Sequence, residues 1–118
     1  YINRFYIFPC VAASDKKYLN MTLAKTLIET GVIKHDDPDC FWTDSYYSVP
    51  EEVENNFKKL NLEIVDHLAT DGISPLLREK VDCMDDEKFS IWCNYHYAVC
   101  RQKSILGASN HGLIIGRK

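Results

Sequence analysis

The sequence predicts a single α+β domain, and three observations carry that prediction. Amphipathic stretches with capping signals recur along the chain, two short apolar stretches read as strands, and no repeat or linker divides it. The 118 residues, 46% hydrophobic and 12% aromatic, suffice for one core.

The helices are signed more clearly than the strands. Ser14 or Asp15 can cap a helix through "KKYLNMTLAKTLIET", where Leu19, Leu23 and Leu27 recur every four residues and Gly31 supplies the stop. The acidic, aromatic stretch "KHDDPDCFWTDSYYSVP" has neither period and reads as an irregular loop. Ser48 and Glu51 form a capping box ahead of a short helix with Val53, Phe57 and Leu60 on one stripe and Pro50 in the first turn. Leu62–Leu68 reads as a strand that ends in a turn at Asp71-Gly72. Ser74-Pro75 opens a further helix, and Asp85 caps the next, whose inner face carries Phe89, Trp92, Cys93 and His96. The chain closes on "GLIIGRK", a strand apolar on both faces and therefore expected in the middle of a sheet. One neighbour, around Ile64, is evident. A second partner strand is missing from the pattern, and an isolated pair is marginal in water.

Charge and composition narrow the function classes. A net charge of -3 with dispersed lysines and arginines gives no polyanion-binding surface, so no nucleic-acid partner is expected. No apolar run approaches the ~20 residues that span a bilayer, and no secretion signal is present, so no membrane association and a cytoplasmic location are expected. The five cysteines are odd in number and contain no CxxC pair, which predicts reduced thiols. Cys93 and Cys100 read as small buried apolar side chains. His35, His67, His96 and His111 show no HxH or HExxH spacing, so no metal site is expected.

Three segments carry a family resemblance. "FKKLNLEIVDHLATDGIS", "MDDEKFSIWCNYHYAVC" and "ILGASNHGLIIGRK", in this order and spacing, resemble the C-terminal part of bacterial class I S-adenosylmethionine-dependent methyltransferases that act on small molecules. "YINRFYIF" is similar to the segment leaving the fifth strand of that fold. The resemblance implies a Rossmann-like α/β fold of which this chain is the C-terminal portion, with its helices packed on a short antiparallel strand pair. It implies S-adenosylmethionine as cofactor of the full-length protein and a small-molecule methyl acceptor. It also implies that the last strand runs antiparallel between the fifth and sixth, so that "GLIIG" lies between the strand around Ile64 and a strand preceding or including Tyr1-Ile2, most of which is expected to be missing. The cofactor in such folds sits at a glycine-rich turn after the first strand. Gly31, Gly72, Gly107, Gly112 and Gly116 form no such cluster, so no cofactor-binding residue is expected here and the isolated chain is expected to be inactive. An open edge on the last strand is expected to seek a second copy or a cap from Tyr1–Phe8.

The resemblance brings Asn3, Arg4, Phe5 and Tyr6 nearest the substrate mouth; equally, Phe5 and Tyr6 can simply pack and Arg4 can pair at the surface. Tyr95 and His96 are the next substrate-binding candidates, as a donor and a base on one helix. His96 also falls on the apolar face beside Phe89 and Trp92, where a hydrogen-bonded core histidine is the ordinary case. Asp71 reads as a turn-former and His111 as structural. Catalytic residues are not identified. Two other classes stand beside this one. A stand-alone helical ligand- or protein-binding module would expose "CFWTDSYY" as its surface, with Trp42, Tyr46 and Tyr47 presented together. A small enzyme of another fold would need a Cys93–His96 pair, which lie three apart on one helix and face each other poorly.

Overall fold

Asn3 starts the first helix because its side chain satisfies one of the free N–H groups there. In the computed structural model, which describes residues 1–118, Asn3 is extended, its Oδ1 accepts the Phe5 N–H at 3.1 Å, and α1 runs over Arg4–Ser14. The sequence reading assigned no helix here. Its aromatic and β-branched content suits a strand, and Pro9 inside the helix removes the N–H that would reach back to Phe5. Tertiary burial of Arg4, Tyr6, Ile7 and Val11 overrides both signals.

The next helix begins later than expected. The Asp15 carboxylate accepts the Lys17 N–H and caps only a 3₁₀ turn, Lys16–Tyr18, while Asn20 accepts the Leu23 N–H at 2.9 Å and caps α2, Met21–Glu29. Leu19 is therefore left outside the helix and exposed, whereas Leu23 and Leu27 are buried. Gly31, with φ of 68°, ends this segment; a methyl group there would collide with the Arg4 guanidinium and the Tyr47 carbonyl.

The stretch expected to be irregular contains a short antiparallel pair, β1 (Val32–Ile33) and β2 (Ser45–Tyr46). Helix α3 (Pro50–Lys59) starts one residue later than the capping box suggests, with Val49 as cap and the Glu52 carboxylate reaching back to the Val49 N–H. The strand of Ile64 is β3, Glu63–Ala69. After the turn at Gly72 come a 3₁₀ turn (Ser74–Leu77), α4 (Arg78–Asp82) and α5 (Asp86–Val99), which Asp85 caps by accepting the Lys88 N–H at 2.9 Å. Helix α6 (Lys103–Gly107) and β4 (Gly112–Arg117) complete an α+β chain.

Strand β4 pairs antiparallel with β3, Ile64 opposite Gly116 and Leu68 opposite Leu113, with a bulge at Val65. The other edge of β4 is partly covered by the N-terminal segment. Tyr1 and Gly112 exchange both backbone hydrogen bonds at 3.0 Å, the Asn3 N–H donates to the Asn110 carbonyl at 2.7 Å, and Ile2 bridges His111 antiparallel. This segment bridges Ser48 in parallel on its far side, and the Tyr47 N–H donates to the Gly31 carbonyl. The two ladders are thereby joined edge to edge in the order β3, β4, Tyr1–Asn3, β2, β1. Because β4 is antiparallel to both neighbours, β3 and Tyr1–Asn3 run in the same direction.

Two apolar clusters hold this arrangement. The larger, Ile7, Val11, Leu23, Leu27, Ile33 and Tyr47, joins α1, α2 and the β1–β2 pair; the smaller is Ala69, Cys100 and Leu106. The body is a slab of 43 × 43 × 20 Å in which 16 of 118 residues are buried. No helix is long and apolar enough to cross a membrane.

Candidate functional site

The structure separates the candidate residues drawn from the sequence. Asn3 is buried and fully engaged: beyond its capping bond, its Nδ2 donates to the Leu106 and Gly107 carbonyls, each at 3.1 Å. Arg4 is also buried. Its Nε donates to the Tyr47 carbonyl at 2.9 Å and its Nη2 to both Glu52 oxygens at 2.8 and 2.9 Å, beside the Tyr46 hydroxyl at 3.1 Å. With its Nε and Nη2 on protein acceptors Arg4 ties α1 to Tyr46-Tyr47 and α3, and Asn3 ties it to α6, so these two serve the fold rather than a substrate mouth; Phe5 is exposed and Tyr6 buried.

Tyr95 and His96 lie on α5 with different surroundings. Tyr95 is 62% exposed, while His96 is half-buried and its Nε2 donates to the Ala69 carbonyl at 3.0 Å. That bond fixes the proton on Nε2, since a carbonyl can only accept. His96 Nδ1 lies against Gly72, where an added methyl would be 3.2 Å away. Tyr95 and His96 line a shallow apolar cavity of about 90 Å³ with Trp92 and Ile105; Cys93 and His96 line a neighbouring recess of about 270 Å³. No hydrogen bond joins Cys93 to His96. Trp42 and Tyr46 are exposed but Tyr47 is buried at 1%, so the three aromatics do not present one surface.

A polar cluster that the sequence reading treated as a turn and a structural histidine forms at the carboxyl end of β3. The turn at Gly72, φ 54°, brings Asp71 back toward the start of β4. Asp71 Oδ1 accepts the His111 backbone N–H at 2.9 Å, and Oδ2 lies 2.5 Å from His111 Nδ1. Ser109, fully buried, accepts the Gly72 N–H at 2.9 Å and presents its hydroxyl to Asp71 Oδ1 at 2.9 Å and to the His111 carbonyl at 2.7 Å. Asp71 and His111 are forty residues apart, which is why no spacing signal exposed the pair.

Two buried polar atoms in this neighbourhood lack partners: the Tyr6 hydroxyl and Asn110 Oδ1. The Leu76 backbone amide approaches the Tyr6 hydroxyl without hydrogen-bond geometry. Burial, followed by the charges of Cys10 and Asp71, pushes the Tyr6 hydroxyl up to about 12; burial and then Asp71 push the Cys10 thiol up to about 11. Cys10 lines an open recess of about 500 Å³ between α1 and the Pro75–Lys80 segment, with Leu76 and Leu77 as its apolar wall and Arg78 and Lys80 at its rim.

A second buried chain of hydrogen bonds lies on the sheet face under α3. His67 Nδ1 meets Glu54 Oε1 at 2.9 Å and Nε2 meets the Tyr1 hydroxyl at 2.9 Å. Burial, with Glu51 and Glu54 nearby, pushes the Tyr1 hydroxyl up to about 12. Both ring nitrogens are engaged, so the chain pins the N-terminal segment to β3.

No protein-family model, curated protein or solved structure matches the chain. The residues present do not form a cradle for S-adenosylmethionine. Gly31 ends α2, Gly72 turns the chain after β3, Gly107 lies at the end of α6, and Gly112 and Gly116 are within β4, so no glycine-rich turn connects a strand to a helix. No group of three His, Cys, Asp or Glu side chains is placed to hold a metal ion.

Proposed function

We propose that this chain is the substrate-side portion of a class I S-adenosylmethionine-dependent methyltransferase acting on a small molecule. The supporting observation is strand order. β4 runs antiparallel between β3 and the N-terminal segment, which are parallel to each other, and the resembled fold ends on the same arrangement, with its last strand inserted antiparallel between the fifth and sixth. Two strands and a distant N-terminal segment have no local reason to adopt it, because the segment precedes β3 by about 60 residues and β3 precedes β4 by about 40, and each closure carries an entropic cost. The Rossmann-like origin of this α+β body belongs to the same proposal.

On this reading the chain supplies acceptor-binding and positioning groups, and the cofactor is held by residues outside it. Calorimetry with S-adenosylmethionine is expected to show no binding to these 118 residues. The reading frame upstream of Tyr1 is expected to encode a strand followed by a GxGxG turn, and the joined protein to transfer label from methyl-labelled S-adenosylmethionine to small-molecule acceptors. One-to-one micromolar binding by the chain alone, or a joined protein that neither binds the cofactor nor transfers methyl groups, overturns the proposal.

A further inference from the structure

We propose that His111 is the proton acceptor for an N–H or O–H group of a bound small molecule, and that Asp71 is its positioning residue. That this molecule is a methyl acceptor rests on the methyltransferase reading; the base and its orientation do not.

The orientation follows from the donor and acceptor inventory. A carboxylate only accepts, so the bond between Asp71 Oδ2 and His111 Nδ1, 2.5 Å long, places the ring proton on Nδ1. The lone pair of the neutral imidazole is then on Nε2, which has no hydrogen-bond partner in the protein, on a side chain 47% exposed. Asp71 Oδ1 in turn accepts the His111 backbone N–H and lies 2.9 Å from the hydroxyl of Ser109, which is buried and tied to Gly72, so the carboxylate is fixed by its neighbours on both oxygens. An imidazole oriented through Nδ1 with Nε2 open is the arrangement general bases use.

The other histidines are not arranged this way. His96 donates through Nε2, and His67 has both nitrogens occupied. His35 meets Asp44 at 3.0 Å, but both side chains are more than half exposed on a loop, without a buried third group to hold them.

The surroundings point to a ligand as well. Asn110 Nδ2 lies 3.2 Å from His111 Nδ1, which holds its proton toward Asp71 and cannot accept, and Asn110 Oδ1 is buried and unpartnered. Tyr6, 6% exposed and with an unpartnered hydroxyl, lies within the field of Asp71. Orphaned buried polar groups gathered around one oriented His–Asp pair are unusual in a region that only has to fold. In the proposed step the ligand's X–H bond breaks, its electron pair stays on X, and an Nε2–H bond forms. The resulting imidazolium is stabilised by the adjacent Asp71 carboxylate.

Long-range proton–nitrogen NMR on the histidine-labelled chain tests the orientation directly. His111 is expected as the Nδ1–H tautomer and His96 as the Nε2–H tautomer. Asp71→Asn is nearly isosteric, and its amide would donate to Nδ1, moving the His111 proton to Nε2. Phenol serves as the O–H probe: it is expected to shift the His111 Nε2 resonance saturably, with affinity at least tenfold weaker in Asp71→Asn. An Nε2–H tautomer at His111 in the parent chain, or a phenol titration that leaves His111 unmoved, overturns the proposal even if the variant fails to fold. In the joined protein, His111→Gln is expected to lower turnover by ~10²-fold or more, and turnover within threefold of the parent overturns the base role. If the joined protein transfers no methyl groups while the tautomer and phenol results hold, the methyltransferase reading fails and the base stands.

Discussion

Arg4 shows how a residue with the chemistry of a substrate clamp can be consumed by the fold. Its guanidinium is divided between the Tyr47 carbonyl and the Glu52 carboxylate, and the Tyr46 ring lies 5.6 Å from it. Removing one partner of a buried pair costs about 3–5 kcal/mol. Glu52 is 37% exposed and can rehydrate, so Arg4→Met is expected to fall below that range, at about 2–3 kcal/mol, read as a shift of the denaturant midpoint with unchanged slope. Tyr6 gives the opposite case. Its hydroxyl is buried without a partner, so Tyr6→Phe is expected to leave stability unchanged or raise it by about 1 kcal/mol; a loss of that size would mean that the Leu76 amide is a true partner. Tyr1 and Tyr6 are both pushed up to about 12, against about 10 in the unfolded chain. Folding therefore favours their protonated forms, and this contribution is complete below about pH 10 and lost as pH rises toward about 12. Burial pushes the Tyr47 hydroxyl up as well, so tyrosinate absorbance should show three of the seven tyrosines, Tyr1, Tyr6 and Tyr47, rising late, with the melting temperature falling over the same interval. At this scale the resemblance named Asn3, Arg4, Phe5 and Tyr6 as a group, and the fold gives each a different environment. It passed over Asp71, Ser109 and His111 because adjacency in space across forty residues leaves no mark in spacing.

Among the elements, those whose signals are local were legible. Asp85 caps α5 because an acceptor side chain at that position meets the free Lys88 N–H, and this depends on four consecutive residues. Strands β3 and β4 were legible as apolar runs bounded by turn residues, and their antiparallel pairing followed from the resembled fold, although the bulge at Val65 was not legible. Helix α1 was missed because its signals conflict: a proline and several aromatics argue against a helix, and only burial against α2 and β1 settles the matter. The split between Tyr18 and Met21 was missed because Asn20 competes with helix continuation, and a periodic row of leucines conceals a cap. The N-terminal segment joins the sheet because Gly112 leaves room for the Tyr1 ring, which would overlap any added side chain. Gly112→Val is thus expected to displace Tyr1–Asn3, breaking two Tyr1–Gly112 hydrogen bonds and the Tyr1–His67 contact, at a cost of about 2–4 kcal/mol. Hydrogen exchange at the Asn3 and Gly112 amides should rise to the unprotected rate, while the Leu23–Leu27 amides stay protected. Retained protection at Gly112 would show that the segment does not depend on the glycine.

At the scale of the whole molecule, shape and burial set the chain apart from a closed domain. A compact chain of this length has a radius of gyration of about 13.5 Å, whereas this one measures 15.8 Å and is 20 Å through its thin axis. A slab of that thickness accommodates a sheet with one layer of helices, and α3 provides it on one side, with Phe57 against Gly116 and Glu54 on His67. On the other side Leu113 and Ile115, two residues apart on β4 and so on the same face, are 45% and 44% exposed. The outer edge of β3 is blunted by its bulge, by the Asp66–Arg101 ion pair and by the Ala69 N–H donating to the Cys100 carbonyl, while β4 beyond Gly112 keeps a free edge. The face is thus the more favourable contact: a second copy laid on it buries apolar side chains without having to match a register. Sedimentation velocity at tens of micromolar is expected to show reversible association that the joint replacement of Leu113 and Ile115 by lysine abolishes. Because both side chains are already half in water, the double variant should keep the parent's melting temperature within a few degrees. Association that survives the double variant would transfer the contact to the free edge of β4. A strictly monomeric parent would mean that exposed Leu113 and Ile115 are tolerated singly, as scattered surface apolar residues are.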